Sequence, residues 1–514
     1  MKLHHRREFI GDVARGMLIA GMGPTLAGEL GLSTAFADQG PELLEFGALR
    51  PLVTLMQEKT PDKLQSELIG KLKSGSVSLR QLVAAASLAN AETFGGEDYV
   101  GFHTEMALLP SLHLAKQLPE KEQPLPVLKV LYRNATRIQQ YGGATKKTLR
   151  PIHGSTDSER GNGKILRRAT RAADMAKAER LFSNISNISL EDAYNQLQYI
   201  VQDEMNVHRF VLAHRAWGLI DIVGNEHAHT LLRQSVRFCV KAERNRIDNN
   251  RPEPGIRRLL PKILDNHNLI GRKLGLRQPD DAWLDEMIHI IYNAGKERAT
   301  DAVGAALAEG IAPEVVGEAI SLAANQLALR QRGGRTHGAS QGVHGSDAIN
   351  AWRNMVKVTN QRNTVCGLLV ATYHTAEYSS NKDFKDAPFP HVAHLEQIKA
   401  RDPEALLKAT ESAIRENNQS RAAAAIHLYG ELGHPSKPVF DLMLKYAISE
   451  DGRLHAEKYY HTVVEEFAST RPAYRWRQLV ALARVTASAY GFTVDDRPGY
   501  RAPGYEDACR LLQA

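Results

Sequence analysis

Apolar residues recur at steps of three and four along nearly the whole chain after the first forty residues. Residues 64–72, 79–91, 104–117 and 127–140 each carry such a stripe, the signature of helices with one buried face. Ser78 precedes the second stretch as an N-cap. Runs of β-branched residues alternating with polar ones are nearly missing, and hairpin dipeptides are few. The pattern predicts an all-α protein, a multi-helix bundle of two or three subdomains.

Four stretches interrupt the helical text. Residues 141–165 hold five glycines, 245–281 four prolines among charges, 332–345 are rich in glycine, and 378–391 contain Pro388 and Pro390. Long irregular connections of this kind commonly cover sites or join units. The first and last mark the expected edges, which divides the chain into a leader (1–37), an N-terminal region (38–165), a central region (166–390) and a C-terminal region (391–514). Within the central region, 283–309 reads as one helix ending at Gly310. Pro313 opens a second helix that runs to Arg332, with Glu314 and Glu318 near its positive end.

The leader is set apart by its charges. His5-Arg6-Arg7-Glu8-Phe9-Ile10 places two arginines and an apolar pair ahead of a weakly hydrophobic stretch, and Ala35-Phe36-Ala37 offers a small-x-small cleavage pattern before Asp38. This resembles a twin-arginine signal peptide. The resemblance implies export of a folded chain by the twin-arginine machinery, often with a cofactor already loaded, to a periplasmic or secreted destination. Gly16, Gly21, Gly23, Pro24 and Gly28 dilute the stretch too far for a stable membrane span.

Composition narrows the chemistry. Of 514 residues, 43% are apolar and 24% charged, as in globular proteins generally, and the net charge of +7 is spread along helix faces. No basic stripe interleaved with aromatics points to nucleic acid. Cys239, Cys366 and Cys509 are too few and too scattered for a disulfide framework, a CxxC redox site or covalent haem attachment. No GxSxG elbow, Walker A loop, GxGxxG turn or HExxH zinc motif is present.

Histidine is the unusual residue, with 20 in the chain. Five segments carry it beside carboxylates. His103 and Glu105 follow Glu97 and Asp98, with His113 beyond; at a separation of two, His103 and Glu105 point to different sides of a helix. Glu226 and His229 share a face at a spacing of three, as do His374 and Glu377. His337 and His344 flank the glycine loop, and Asp347 lies one turn past His344. Glu457, His461 and Glu465 follow at steps of four, in the segment that begins at His455. Neutral imidazoles and carboxylates on facing helices can hold Fe, Mn or Zn. The expected ligands are Glu226, His229, His344, His374 and Glu377, with His103, Glu457 and His461 as further choices, and His344 with Asp347 form an acid–base pair. The glycine loop, beside Arg332 and Arg335 and leading to a helix start near Ser346, could instead cradle an anion.

Two local resemblances accompany these residues. Residues 305–320, AALAEGIAPEVVGEAI, resemble the helix–turn–helix of carboxymuconolactone decarboxylase-like and alkylhydroperoxidase-like proteins, without the paired cysteines of the peroxidase branch. Residues 224–238 and 343–353 look like the histidine-bearing helices of questin oxidase-like proteins, which implies oxygenase chemistry on a polyketide ring. The expected function is an exported, metal-dependent oxidoreductase acting on a small molecule. A helical binding or scaffold protein, and a cofactor-free decarboxylase or hydratase using His337 or His344 as base, stand as alternatives.

Overall fold

The computed structural model describes residues 42–152, 162–186, 189–332, 340–491 and 504–513; the leader, His337 and most of the glycine loop lie outside them. The chain is all-α: the described residues form 23 α-helices and no strand, with one isolated bridge between Arg277 and Ile311. Residues from Glu45 onward form one compact unit, to which all three regions marked out by the loops contribute. Among the described residues, no helix is long and apolar enough to cross a membrane.

The early helices follow the sequence pattern closely. Leu79–Phe94 starts at a complete capping box, in which Ser78 Oγ accepts from the Gln81 amide at 3.2 Å and Gln81 Oε1 accepts from the Ser78 amide at 2.9 Å. Tyr99–Ala115 is buried on almost every side, which its continuous apolar text and internal Pro110 permit only at the centre of a bundle. Asp98 caps it, accepting from the Gly101 amide at 2.8 Å while gripping Arg137 with both oxygens.

Three expectations change. The stretch 283–309 is two helices, Asp281–Asn293 and Lys296–Ala308, broken at Gly295, whose φ of +77° favours glycine. The proline-bearing stretch 245–281 holds a helix, Ile256–Asn266, with Pro261 inside it. The helix expected near Ser346 begins at Gln341, capped by Ser340 Oγ on the Val343 amide, so His344 and Asp347 lie in its first two turns rather than in a loop. Pro313–Arg330 starts where expected.

Four helices define the centre. Tyr99–Ala115 packs on Val207–Val223, which packs on Gln341–Val356, which packs on Arg453–Ser469, which returns to Tyr99–Ala115. The ring closes with elements drawn from residues 99 to 469. A further apolar core lies toward the C-terminus, where the alanine-rich Gln419–Glu431 lies against Trp476–Ala489. The aromatics Tyr459, Tyr460 and Phe467 are buried there as packing residues, while Tyr474, also buried, bonds Asp285.

Candidate functional site

Each helix of the central ring contributes one histidine to its interior: His103, His208, His344 and His455. His103 Nε2 lies 3.2 Å from His208 Nε2, and His344 Nε2 lies 3.2 Å from His455 Nε2. The two pairs face each other. Ring centres are 4.7 Å apart for His103–His208, 5.2 Å for His344–His455, 5.3 Å for His103–His455 and 5.7 Å for His208–His344.

Tautomer and charge follow from the surroundings. His103 Nδ1 is 2.6 Å from the Tyr99 carbonyl, which can only accept, so Nδ1 carries the proton and Nε2 presents its lone pair inward. Burial holds all four imidazoles neutral, and the Lys458 ammonium adds to the effect. His208 falls to about 3 and His344 to about 4, while His103 and His455 lie well below the usual histidine range. His208, His344 and His455 nonetheless keep partial exposure. Tyr99, Phe102 and Phe238 form an aromatic wall on one side, with Phe102 stacked on His103 at 5.0 Å. On another side a largely apolar cavity of about 30 Å³, room for little more than a water molecule, reaches His455 past Val343, Tyr446, Tyr459, Val485 and Tyr490.

Two charged residues lie one helical turn deeper. Lys458 follows His455 by three residues and Asp347 follows His344 by three, so each shares its histidine's face. Both are buried, at 3% and 5% exposure. Burial brings the Lys458 amine down to about 8, against the opposing charges of Asp347 and Glu457. Burial raises the Asp347 carboxyl, which accepts a hydrogen bond from Thr462 at 2.9 Å.

Further along the same helices lies a second group. His113 Nδ1 contacts His461 Nε2 with the rings stacked at 4.6 Å, and His461 Nδ1 faces Glu465 Oε2 at 3.8 Å. His214 Nε2 is buried with no partner among the described residues. Burial, with the Arg215 charge, brings His214 down to about 3.

The residues anticipated from spacing are distributed as follows. His344 and His103 are in the ring of imidazoles, and His374 is buried between Phe210 and Tyr378. Glu377 lies at the surface and accepts from Lys296 at 2.7 Å. Glu226 is 72% exposed on a 3-10 turn, and His229 stacks on Phe182 away from the ring. Glu457 is buried against Lys129 at 2.5 Å. Glu105 points away from His103, as a separation of two requires, and hydrogen-bonds Ser87 at 2.6 Å. The structure therefore gathers imidazoles and leaves most of the anticipated carboxylates elsewhere.

His208, His455, Lys458 and His214 were not singled out by sequence spacing. A signal was present: 208/214 and 455/461 repeat one spacing of six. Six residues turn through about 600°, leaving the second side chain about 120° from the first, so a search for shared faces passes over it.

Within each close pair the two nitrogens have the separation that two ligands of one ion would have. Two imidazoles each about 2.0–2.1 Å from one ion at a tetrahedral angle hold their nitrogens about 3.3 Å apart and their ring centres about 5.2 Å apart. The observed pairs and ring spacings surround those values. Even so, among the described residues no three His, Cys, Asp or Glu donors already enclose a common point; the site is built from close pairs.

Comparison with known proteins adds no template. No known family, curated protein or solved structure matches the chain. The site's chemistry rests on its own geometry.

Proposed function

We propose that this protein is an exported, metal-dependent oxidoreductase whose ion is held by His103, His208, His344 and His455. The observation that carries the reading is the convergence of four neutral imidazoles from four helices, with the His103 tautomer fixed by Tyr99. Fe, Mn and Zn accept imidazole nitrogen, and a redox-active ion would supply electron transfer or oxygen activation there. The twin-arginine pattern of the leader supports the export of a cofactor-loaded chain.

The chain's own residues supply the rest. Tyr99, Phe102 and Phe238 shield the imidazoles from bulk water. The apolar cavity beside His455, flanked by Tyr446 and Tyr490, holds about 30 Å³, so a small hydrophobic substrate reaches the imidazoles by this side only if those walls move apart. The Lys458 amine, poised near neutrality, holds a proton one turn from the imidazoles and can deliver or accept it at Nζ. Asp347 balances the charge of Lys458.

The same Lys458 and Asp347 favour a second reading, cofactor-free acid–base catalysis of the decarboxylase or hydratase kind, with His344 as base. Metal content separates the two. Protein purified from its native compartment should carry a stoichiometric transition metal, and His208→Ala should lose it with the helical circular dichroism retained. Metal-free protein whose activity survives chelator would instead favour the acid–base reading.

A further inference from the structure

Helices Asp281–Asn293, Pro313–Arg330, Gln419–Glu431 and Trp476–Ala489, with the loop at 388–390, enclose a cleft of about 400 Å³. None of these helices belongs to the ring that carries the imidazoles. Small-molecule sites usually measure about 300–1,000 Å³. The cleft falls in that range, whereas the cavity beside His455 holds only about 30 Å³.

The lining presents two kinds of surface. Ile288, Tyr292, Leu329 and Val480 are buried and form an apolar wall, with Phe389 beside them. Arg330 and Arg477 supply charge, and neither meets a carboxylate among the described residues. Arg330 is held in place. Its Nε donates to Gln326 Oε1 at 2.6 Å and its Nη1 to the Asp386 carbonyl at 3.1 Å, which leaves Nη2 for a ligand. Arg477 lies over the Tyr474 ring at 4.6 Å, and its guanidinium donates to no acceptor among the described residues.

A third guanidinium stands behind the wall. Arg484 is fully buried, 4.3 Å from the centre of the Phe389 ring, and bonds the carbonyls of Ala328 and Gln331. Carbonyls satisfy its donors but leave its charge uncompensated. The carboxylates near the cleft are exposed. Asp285 accepts from the Tyr474 hydroxyl at 2.9 Å, and Glu431 lies 3.1 Å from His427 Nε2. Three guanidiniums thus face two solvated carboxylates, a surplus of one positive charge.

Charge and surface together select the ligand. One carboxylate balances the surplus, and its two oxygens match the planar donors of arginine. A phosphate dianion would bring a second negative charge toward Asp285 and leave the apolar wall uncovered. A neutral apolar molecule would cover the wall and leave the guanidiniums unmatched. We propose that this cleft binds a small monocarboxylate with an apolar body, its carboxylate on Arg330 and Arg477 and its body against Ile288, Leu329 and Val480. The site stands independently of the activity assigned to the imidazoles.

Fluorine NMR of para-fluorobenzoate titrated with the full chain tests it. The wild type should bind saturably, and Arg477→Gln should weaken binding about tenfold or more. Arg477 bonds no protein acceptor, so that variant should keep the wild-type melting transition; Arg330→Gln serves as the second variant. The neutral para-fluorobenzamide should bind at least about tenfold more weakly, and equimolar phosphate should not displace the acid. His455→Gln should bind the acid as the wild type does. Absence of saturation up to about 10 mM, or equal affinity in wild type and both arginine variants, overturns the site. Equal binding of the amide, or displacement by phosphate, overturns the ligand class. Binding lost in His455→Gln and kept in Arg477→Gln places the acid at the imidazoles and overturns the cleft.

Discussion

At the residue scale, the defining chemistry is the burial of neutral histidine. Burial brings His208, His214 and His374 to about 3 and His229 and His344 to about 4, against about 6.5 in an unfolded chain. Between those values the unfolded chain binds protons that the native one does not, so stability is lost as pH falls through that window. Glu105 acts in the opposite sense. Burial raises it to about 8, so its contribution is complete below the unfolded carboxylate range and fades as pH rises toward 8. The balance predicts an uptake of roughly four protons or more on unfolding at pH 5. Calorimetry at pH 5 in buffers of different ionisation enthalpy measures that number, and a stability unchanged between pH 7 and 5 would contradict it. Lys458 has its own window: burial depresses it, so stability should rise as pH climbs from about 8 toward the unfolded lysine value near 10.4.

At the scale of single elements, the sequence was readable where one face is buried and obscure where a helix is buried all round. The capping box at Ser78 and the start at Pro313 follow from local chemistry alone. The break at Gly295 is hidden because the apolar stripe continues on both sides of it, and only the left-handed backbone at that glycine divides the helix. The histidines were visible as a surplus, but spacings of three and four selected His229 and Glu377, which pack elsewhere, and passed over His208 and His455. Which imidazoles meet is set by helix-to-helix contacts, and no single helix encodes them. The Asp98 cap gives a test at this scale. It fixes the first turn of the helix that presents Tyr99 O and His103, so Asp98→Ala should cost about 1–2 kcal/mol in denaturant unfolding. The same variant should weaken metal retention through loss of orientation. A stability equal to wild type would show that Arg137 and Asp98 do not hold that end.

Across the whole molecule, the site exists only once segments from residues 99 to 469 have closed into one ring. The all-α class was legible from periodicity, because every helix must bury a stripe. The order of packing was not, because any amphipathic helix can pack on many others. The same closure couples binding to folding. An ion bound only by the closed ring stabilises it in proportion to the logarithm of its concentration over its dissociation constant. A protein stripped by chelator should therefore melt lower than the loaded one while its helical content at 25 °C stays the same. Equal melting temperatures would argue that the imidazole ring is a packing feature.

The central claim is that His103, His208, His344 and His455 are ligands of one ion. X-ray absorption at the metal edge of the loaded protein reads that site. The account predicts a shell dominated by nitrogen at about 2.0–2.1 Å, with the multiple-scattering pattern of several imidazoles. A shell dominated by carboxylate or water oxygen, or no bound metal at all, would contradict it.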